Sequence, residues 1–260
     1  MTELTPGVLL AEACDGKVDP GSHLGGFGGL HGGLLLALMV SAMAEQAAAG
    51  TSLHSVTGRF RQPVTGEFRV EAALVQAGKT ASVVSARAAS NAGTHAEATA
   101  VFGPPRDGAW PTVAPPPPAA PPPEDCGQLT IPAEFVPISA YLEIRPVGPD
   151  RPYAGGSQPE LTAWIRLVED DRPPDLPRFV LLLDGLAPSY AAVLTSLVLI
   201  PTVELSVRPA PSLAVTTSPW VLLHARTRSA SQDGWSDEEI LAWDRDGRYL
   251  GSAQQLRVIR

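Results

Sequence analysis

The sequence predicts an α+β fold in which one pattern, an apolar helix followed by antiparallel strands, occurs twice. Residues 27–102 and residues 174–260 each begin with a strongly apolar segment and continue with strand-like, alternating segments. A proline-rich segment separates the two copies. A buried helix packed on an antiparallel sheet is an α+β pattern, and its repetition indicates two related units in one chain.

Length, charge and cysteine content narrow the class of protein. The chain has 260 residues, enough for one large domain or two small ones. Its formal net charge of −8 argues against a nucleic-acid partner, because such a partner requires a basic surface. The two cysteines, Cys14 and Cys126, match no metal-ligand spacing, which favours a reduced, cytoplasmic protein without a metal site.

Neither a signal peptide nor a membrane span is expected. The N-terminal segment is acidic and lacks the basic region of a signal peptide. Residues 179–200 are apolar enough to suggest a membrane span, but Asp184 and Pro188 interrupt them and no cluster of basic residues flanks them. We therefore expect a buried helix that runs into a buried strand.

The first unit opens with a glycine-rich segment at 25–33. A helix is expected at 34–49, with Gly50 ending it, and its nearly continuous apolar surface is typical of a buried helix. A hairpin is expected at residues 78–79. The alternation predicts strands in SLHSVTGRFRQPV, GEFRVEAALVQAG, TASVVSARAASNAG and THAEATAVFG.

The second unit follows the segment PTVAPPPPAAPPP, which predicts an extended connector, although a ligand for proline-binding domains is an alternative. We predict an N-terminal unit at 1–110, a linker at 111–128 and a C-terminal unit at 129–260. Asp175 is the expected N-cap of the second helix. The expected strands are AYLEIRPVG and QPELTAWIRLVED before that helix, and TSLVLIPTVELSVRPA, PWVLLHARTRSASQDG, WSDEEILAWDRDG and RYLGSAQQLRVIR after it.

One chemical difference distinguishes the two copies. The second helix carries Asp184 within FVLLLDGLAP, whereas the matching stretch ALMVSAMA of the first helix places Ser41 there. An acid in only one copy suggests two scaffolding units and one catalytic centre. The alternative is a helix carboxylate that reaches solvent at a rim.

Four segments resemble the bacterial acyl-CoA thioesterase II family, which has a double hotdog fold. They are FGGLHGG, LHSVTGRFRQPVTGEF, GKTASVVSARA and LAWDRDGRYLGSAQQLRVIR, and the resemblance covers nearly the whole chain. It implies two hotdog units, each a sheet wrapped around a helix. It also implies a cytoplasmic hydrolase of lipid metabolism that acts on acyl-CoA without a cofactor and forms a homodimer or a higher homo-oligomer.

The resemblance also implies a catalytic site. An Asp, a Thr and a Gln of the family hold and activate a water, and they match Asp184, Thr227 and Gln255. Gln254 is adjacent, but strand alternation lets only one of the two glutamines face the helix, and the match favours Gln255. When the two copies are aligned, the first unit has other residues at these three positions. In the order of Asp184, Thr227 and Gln255, they are Ser41, Glu71 and Ala98.

Backbone donors for an oxyanion are expected before the first helix, where amides and the helix dipole favour negative charge. The candidates are Gly28, Gly29, Gly32 and Gly33. His54 matches a family histidine and is a candidate for substrate binding. Close helix–sheet packing for the glycines and a purely structural role for His54 are the alternatives. Arginines that could serve the CoA phosphates include Arg59, Arg61 and Arg208.

The sequence is also compatible with two other functions. A non-catalytic, acyl-CoA-binding double hotdog protein would keep the fold and misplace the polar residues. A hotdog enoyl-CoA hydratase would need an Asp–His pair near the helix, and no histidine lies close to Asp184 in the sequence. A serine thioesterase of the α/β-hydrolase class is not expected, because the chain has no Gly-x-Ser-x-Gly motif.

Overall fold

The computed structural model describes residues 4–12, 17–106, 108 and 110–260, so Cys14 lies outside the described residues. The described residues contain three α-helices: α1 (Pro6–Glu12), α2 (Gly32–Gln46) and α3 (Leu176–Leu183). They contain thirteen strands: β1 (Lys17–Val18), β2 (Gly25–Gly26), β3 (Gly29–Leu30), β4 (Ser52–Phe60), β5 (Phe68–Gln76), β6 (Ser82–Ser90), β7 (Gly93–Gly103), β8 (Leu142–Pro146), β9 (Glu160–Leu167), β10 (Thr202–Pro209), β11 (Val221–Ala230), β12 (Trp235–Asp244) and β13 (Tyr249–Val258).

Eleven of these strands form one antiparallel sheet in the order β1-β5-β6-β7-β4-β10-β13-β12-β11-β9-β8. The quartet β5-β6-β7-β4 is mirrored by β11-β12-β13-β10, so the strand order has an internal two-fold relation centred between β4 and β10. At this junction Gly58 lies opposite Leu205, and the hydroxyls of Thr57 and Ser206 form a 2.8 Å hydrogen bond. The predicted α+β double hotdog fold is thereby confirmed.

Helix α2 is the buried helix predicted for the first unit, although it starts at Gly32 and ends at Gln46 rather than spanning 34–49. Every residue from Leu34 to Val40 is at most 3% exposed. The helix comes so close to β4 that a Cβ on Gly58 would lie 2.7 Å from Leu36 Cδ1. Glycine at this strand position therefore lets the leucine pack against the sheet.

Helix α3 ends just before Asp184, which corrects the expectation that the second helix carries this residue. The helix has eight residues and ends at Leu183, so Asp184 is its C-cap rather than a residue in its middle. Pro188 disfavours helical backbone at the residue before it. A loop with one short 3₁₀ turn follows, and β10 begins only at Thr202, so the expected direct passage from helix to strand is wrong.

The start of α3 is fixed by polar contacts. Asp175 is the N-cap, as predicted, and its Oδ1 accepts a 3.0 Å hydrogen bond from the Arg178 backbone N–H. The Arg178 guanidinium is buried and donates to both Asp170 oxygens, at 2.6 Å and 2.8 Å. These hydrogen bonds lower the pKa of Asp170. They hold the helix against the chain that leads into it, and so set where its C-terminal end lies.

The proline-rich segment is more than a spacer, because it is hydrogen-bonded to the outer face of the sheet. Trp164 Nε1 donates to the Pro121 carbonyl at 2.9 Å, and Trp243 Nε1 donates to the Pro115 carbonyl at 3.0 Å. Cys126 is buried against Trp164, and this burial raises the pKa of its thiol. The segment therefore covers part of the C-terminal half of the sheet.

Among the described residues, no helix is long and apolar enough to cross a bilayer.

Candidate functional site

Three polar side chains lie in a row on the inner face of the sheet, the face toward α2 and α3. Thr227 on β11 is directly opposite Glu238 on β12, and Glu238 is directly opposite Gln255 on β13. Residues directly opposite each other in antiparallel strands point to the same face. Their exposed fractions are 8%, 1% and 0%, so this polar row is part of the buried interior.

Asp184, at the end of α3, contacts the polar row from the helix side of the sheet. Its Oδ1 accepts a 2.6 Å hydrogen bond from Gln255 Nε2, and its Oδ2 accepts one of 2.6 Å from the backbone N–H of Gly33. The Asp184 side chain is only 7% exposed. Because Gly33 belongs to α2 and Gln255 to β13, the carboxylate joins the two halves of the chain. Hydrogen bonds to a charged acceptor are among the stronger ones in proteins.

The glycines at the start of α2 allow this close approach. A Cβ on Gly33 would lie 2.6 Å from Asp184 Cβ, and one on Gly32 would lie 3.2 Å from Asp184 Oδ2. The N–H of Gly33, one of the expected oxyanion donors, is already bonded to Asp184. Gly28 and Gly29 lie instead in the β2–β3 hairpin, which lines an open pocket of about 460 Å³.

Thr227 is connected to the site through a serine. Its hydroxyl hydrogen-bonds the Ser189 hydroxyl at 2.8 Å, and the Ser189 backbone N–H donates to Glu238 Oε1 at 2.5 Å. The structure thus brings Asp184 and Gln255 into direct contact. It places Thr227 in the same polar row, but bonded to Ser189.

Glu238 and Arg257 form a buried ion pair that the sequence analysis missed. Arg257 Nε donates to Glu238 Oε2 at 2.7 Å, and its Nη1 donates to Thr202 Oγ1 at 2.9 Å. Arg257 Nη2 lies 3.9 Å from Asp184 Oδ1. The alternation of the two strands could have revealed this pair, because Glu238 and Arg257 occupy inward positions that are otherwise mostly apolar. A charged residue at such a position must find a partner in the interior.

His31 lies beside Asp184, which corrects the premise used against the hydratase alternative. The residue directly precedes α2, and its Nδ1 lies 3.7 Å from Asp184 Oδ2. The side chain is 12% exposed, and Nδ1 is buried with no hydrogen-bond partner among the described residues. The two residues are 153 positions apart in the sequence, so proximity along the chain could not reveal the pair.

The first half of the sheet carries no polar row at the equivalent positions. Continuing across the paired strands, Leu205 lies opposite Gln255 and Gly58 lies opposite Leu205. The row then continues, in strand order, through Ala98, Ala86 and Ala72. Ala98 is thus the counterpart of Gln255, as predicted. The counterpart of Thr227 is Ala72, so the predicted Glu71 was wrong by one residue.

The remaining candidate residues lie elsewhere. His54 is an exposed residue of β4, close to Gly103 at the end of β7. Arg59 and Arg61 are exposed, and each forms a 2.7 Å ion pair, with Glu204 and Glu97 respectively. Arg208 on β10 is exposed as well.

Both halves of the chain match models of one protein family. Residues 21–103 match the acyl-CoA thioesterase N-terminal domain, and residues 112–259 match the acyl-CoA thioesterase C-terminal domain. Fold and site define a double hotdog protein with one polar centre. The chain belongs to the acyl-CoA thioesterase family.

Solved structures share the fold over most of the chain. A hot dog fold protein of unknown function from Alicyclobacillus acidocaldarius has a TM-score of 0.87 at 22% identity, covering 96% of this chain and 97% of that one. Acyl-CoA thioesterase II TesB2 from Mycobacterium marinum has a TM-score of 0.72 at 16% identity, covering 88% of each chain. The dehydratase domain of PpsC from Mycobacterium tuberculosis, in complex with C12:1-CoA, has a TM-score of 0.54 at 17% identity, covering 99% and 92%. No curated protein sequence matches this chain significantly.

Proposed function

We propose that this protein hydrolyses acyl-CoA thioesters to a free acid and CoA. The observation that carries the proposal is the contact between Asp184 Oδ1 and Gln255 Nε2. Gln255 Oε1 is buried and has no hydrogen-bond partner within the described part of the chain. Buried polar atoms are nearly always paired, so a free acceptor beside a carboxylate suits a water that donates one hydrogen to each.

The proposed reaction follows from these groups. Asp184 accepts a proton from the water as its oxygen attacks the thioester carbonyl carbon, and the resulting oxyanion requires hydrogen-bond donors. The first turn of α2, with Gly32, is the proposed oxyanion site because the positive end of the helix dipole lies there. Collapse of the intermediate breaks the carbon–sulfur bond. Thr227 is proposed to support the site from the far end of the polar row, through its hydrogen bond with Ser189.

A hydrolysis screen tests the proposal. The parent protein is incubated with acyl-CoAs of different chain length and branching, and released thiol is measured. We expect turnover of at least one acyl-CoA by the parent and its loss in Asp184→Asn. Binding of acyl-CoA without turnover of any substrate by the parent would contradict the proposal and favour the non-catalytic alternative.

One observation favours a second candidate, the reversible hydration of an enoyl-CoA. His31 and Asp184 face each other from the two halves of the chain, 3.7 Å apart. Hydration adds the hydroxyl of water to the β-carbon and a proton to the α-carbon, which an acid–base pair can assist. The same screen separates the two reactions. With a trans-2-enoyl-CoA, hydration removes the enoyl absorbance and leaves the thioester intact, whereas hydrolysis releases thiol.

Four further features are part of the proposal. We propose a cytoplasmic location, a role in lipid metabolism, a homodimer or higher homo-oligomer, and the unit boundaries 1–110 and 129–260 on either side of the linker at 111–128. Exposed apolar side chains on β5, Leu74 at 47% and Val75 at 64%, support association between copies. Light scattering at micromolar concentration tests the oligomer, and a monomer alone would contradict it.

A further inference from the structure

The imidazole of His31 lies between the Asp184 carboxylate and the β2–β3 hairpin. Nδ1 faces Asp184 Oδ2 at 3.7 Å. The opposite edge of the ring faces the hairpin, since a Cβ on Gly26 would lie 3.6 Å from His31 Cδ2. Gly26 is one of the residues that line the pocket of about 460 Å³. The ring therefore lies between the buried carboxylate and the hairpin whose glycines line this pocket.

From this position we infer that His31 is a further catalytic residue, which passes the proton taken up by Asp184 to the departing sulfur of CoA. The inference rests on the proposed hydrolysis. It assigns a role to a side chain that the Asp184, Thr227 and Gln255 mechanism leaves unused.

The proposed transfer requires a ring that rests with its proton on Nε2. An Nδ1–H would make a strong, charge-assisted hydrogen bond to the carboxylate, at about 2.7–2.9 Å. At 3.7 Å this bond is not formed, so Nδ1 stands close to Asp184 Oδ2 without being bonded to it, and the proposal places the resting proton on Nε2. When Asp184 gains a proton, the Nδ1 lone pair acquires a donor. The interaction then stabilises a state reached only during the reaction, as catalysis requires.

Atoms and protons balance over the steps of the proposed reaction. Water adds its hydroxyl to the carbonyl carbon, and its proton goes to Asp184. As the carbon–sulfur bond breaks, Nε2–H of His31 protonates the sulfur and Nδ1 takes the proton from Asp184. The products are a carboxylic acid and the CoA thiol, with Asp184 again a carboxylate and His31 neutral with its proton on Nδ1. Proton exchange with solvent then returns the ring to the Nε2–H form for the next turnover.

The leaving group provides a test that a purely structural role would not pass. An alkyl thiol such as CoA is a weak acid and benefits from protonation as it departs, whereas an aryl thiol is more acidic and departs readily as its anion. We compare His31→Asn with the parent on an acyl-CoA and on an aryl thioester of the same acid. The expected loss of kcat is about 10²-fold for the acyl-CoA, typical of a general acid. For the aryl thioester we expect a loss of less than about fivefold, because a leaving group that needs no proton gains little from a general acid.

Controls keep the result interpretable. His224→Asn removes an imidazole that hydrogen-bonds Thr162 at 2.9 Å outside the site, and it should leave both rates unchanged. His31→Gln is a second variant in case His31→Asn fails to fold. Equal losses on both substrates, or no loss on the acyl-CoA, would overturn the role of His31 alone. An inactive parent would overturn the proposed hydrolysis, and the relay with it.

Discussion

The backbone N–H of Gly33, in the first turn of α2, donates a 2.6 Å hydrogen bond to the carboxylate of Asp184 at the end of α3. The two residues belong to different halves of the duplicated fold. The half without polar residues in its row therefore supplies a helix end that holds the carboxylate. The second half contributes the acid and the first half contributes the backbone donor, so the two halves supply different groups to one site.

Gly33→Ala should disrupt this junction. The new Cβ would lie 2.6 Å from Asp184 Cβ, so one helix must shift. Overpacking of this kind typically costs about 1–3 kcal/mol, and displacement of a catalytic group by about 1 Å can cost about 10²-fold in rate. Denaturant unfolding and acyl-CoA turnover measure the two effects. Gly127→Ala is the control, since its Cβ would meet nothing within 4 Å and should change neither quantity.

Asp184→Asn should preserve the overall fold and the binding of acyl-CoA at some cost in stability, since the amide oxygen can replace only one of the two carboxylate oxygens that accept hydrogen bonds. An amide cannot take up the proton of the attacking water, and loss of a general base typically lowers kcat by about 10²–10⁴-fold. Released thiol gives the rate, and calorimetric titration gives the affinity. Asp246→Asn, at an exposed turn position where Asn is favourable, should behave as the parent. A rate for Asp184→Asn within about threefold of the parent would rule out the proposed base.

Gln255→Ala should lower turnover less than Asp184→Asn does. It removes one donor to the carboxylate and the amide oxygen proposed to bind the water, while the Gly33 N–H still holds Asp184 in place. We expect a decrease on the order of tenfold, about 1.4 kcal/mol in the barrier. Gln254→Ala is a matched control, because this neighbouring glutamine is exposed on the opposite face of β13. Equal rates for the two variants would remove Gln255 from the mechanism.

Glu238→Gln should destabilise the protein. Arg257 would lose the carboxylate that it hydrogen-bonds while staying buried, with Asp184 Oδ1 left 3.9 Å from its Nη2, and breaking a buried ion pair costs about 3–5 kcal/mol. The free energy of unfolding from denaturant titration measures the loss. Glu239→Gln provides the comparison, since this next residue lies on the other face and its pair with Arg228 is half exposed. Its effect should stay below about 1 kcal/mol. Similar stability of the two variants would contradict the structural role assigned to Glu238.

Acid should weaken the anchor of α3. The Arg178 hydrogen bonds lower the pKa of Asp170 below its ordinary 3.8. A carboxyl whose pKa is lower in the folded state stabilises it at pH values above the ordinary pKa, and this contribution disappears as the pH falls through the folded value. Asp170→Asn should therefore be less stable than the parent at neutral pH, with the difference shrinking below about pH 4. Thermal unfolding across pH would show this. Asp171→Asn, 83% exposed, should follow the parent.

Much of the fold could be predicted because it depends on local patterns. The alternation of apolar and polar residues located the strands. It also showed that only one of two neighbouring glutamines can point inward, and in the structure Gln255 is fully buried while Gln254 is exposed. The apolar surface of α2 predicted its burial, and Asp175 predicted the start of α3. Each signal lies within a few consecutive residues, where side-chain direction follows from backbone geometry.

The tertiary structure alone decided the contacts of the site. Sheet register made Ala72, and not Glu71, the counterpart of Thr227, because a shift of one residue moves a side chain to the other face. The packing of α2 against α3 brought His31 and Gly33 to Asp184, which lies more than 150 positions away. Sequence spacing contains no information on such distances. Two features of the fold fix them. Glycine lets α2 approach α3 closely, and β4 pairs with β10 at the centre of the sheet.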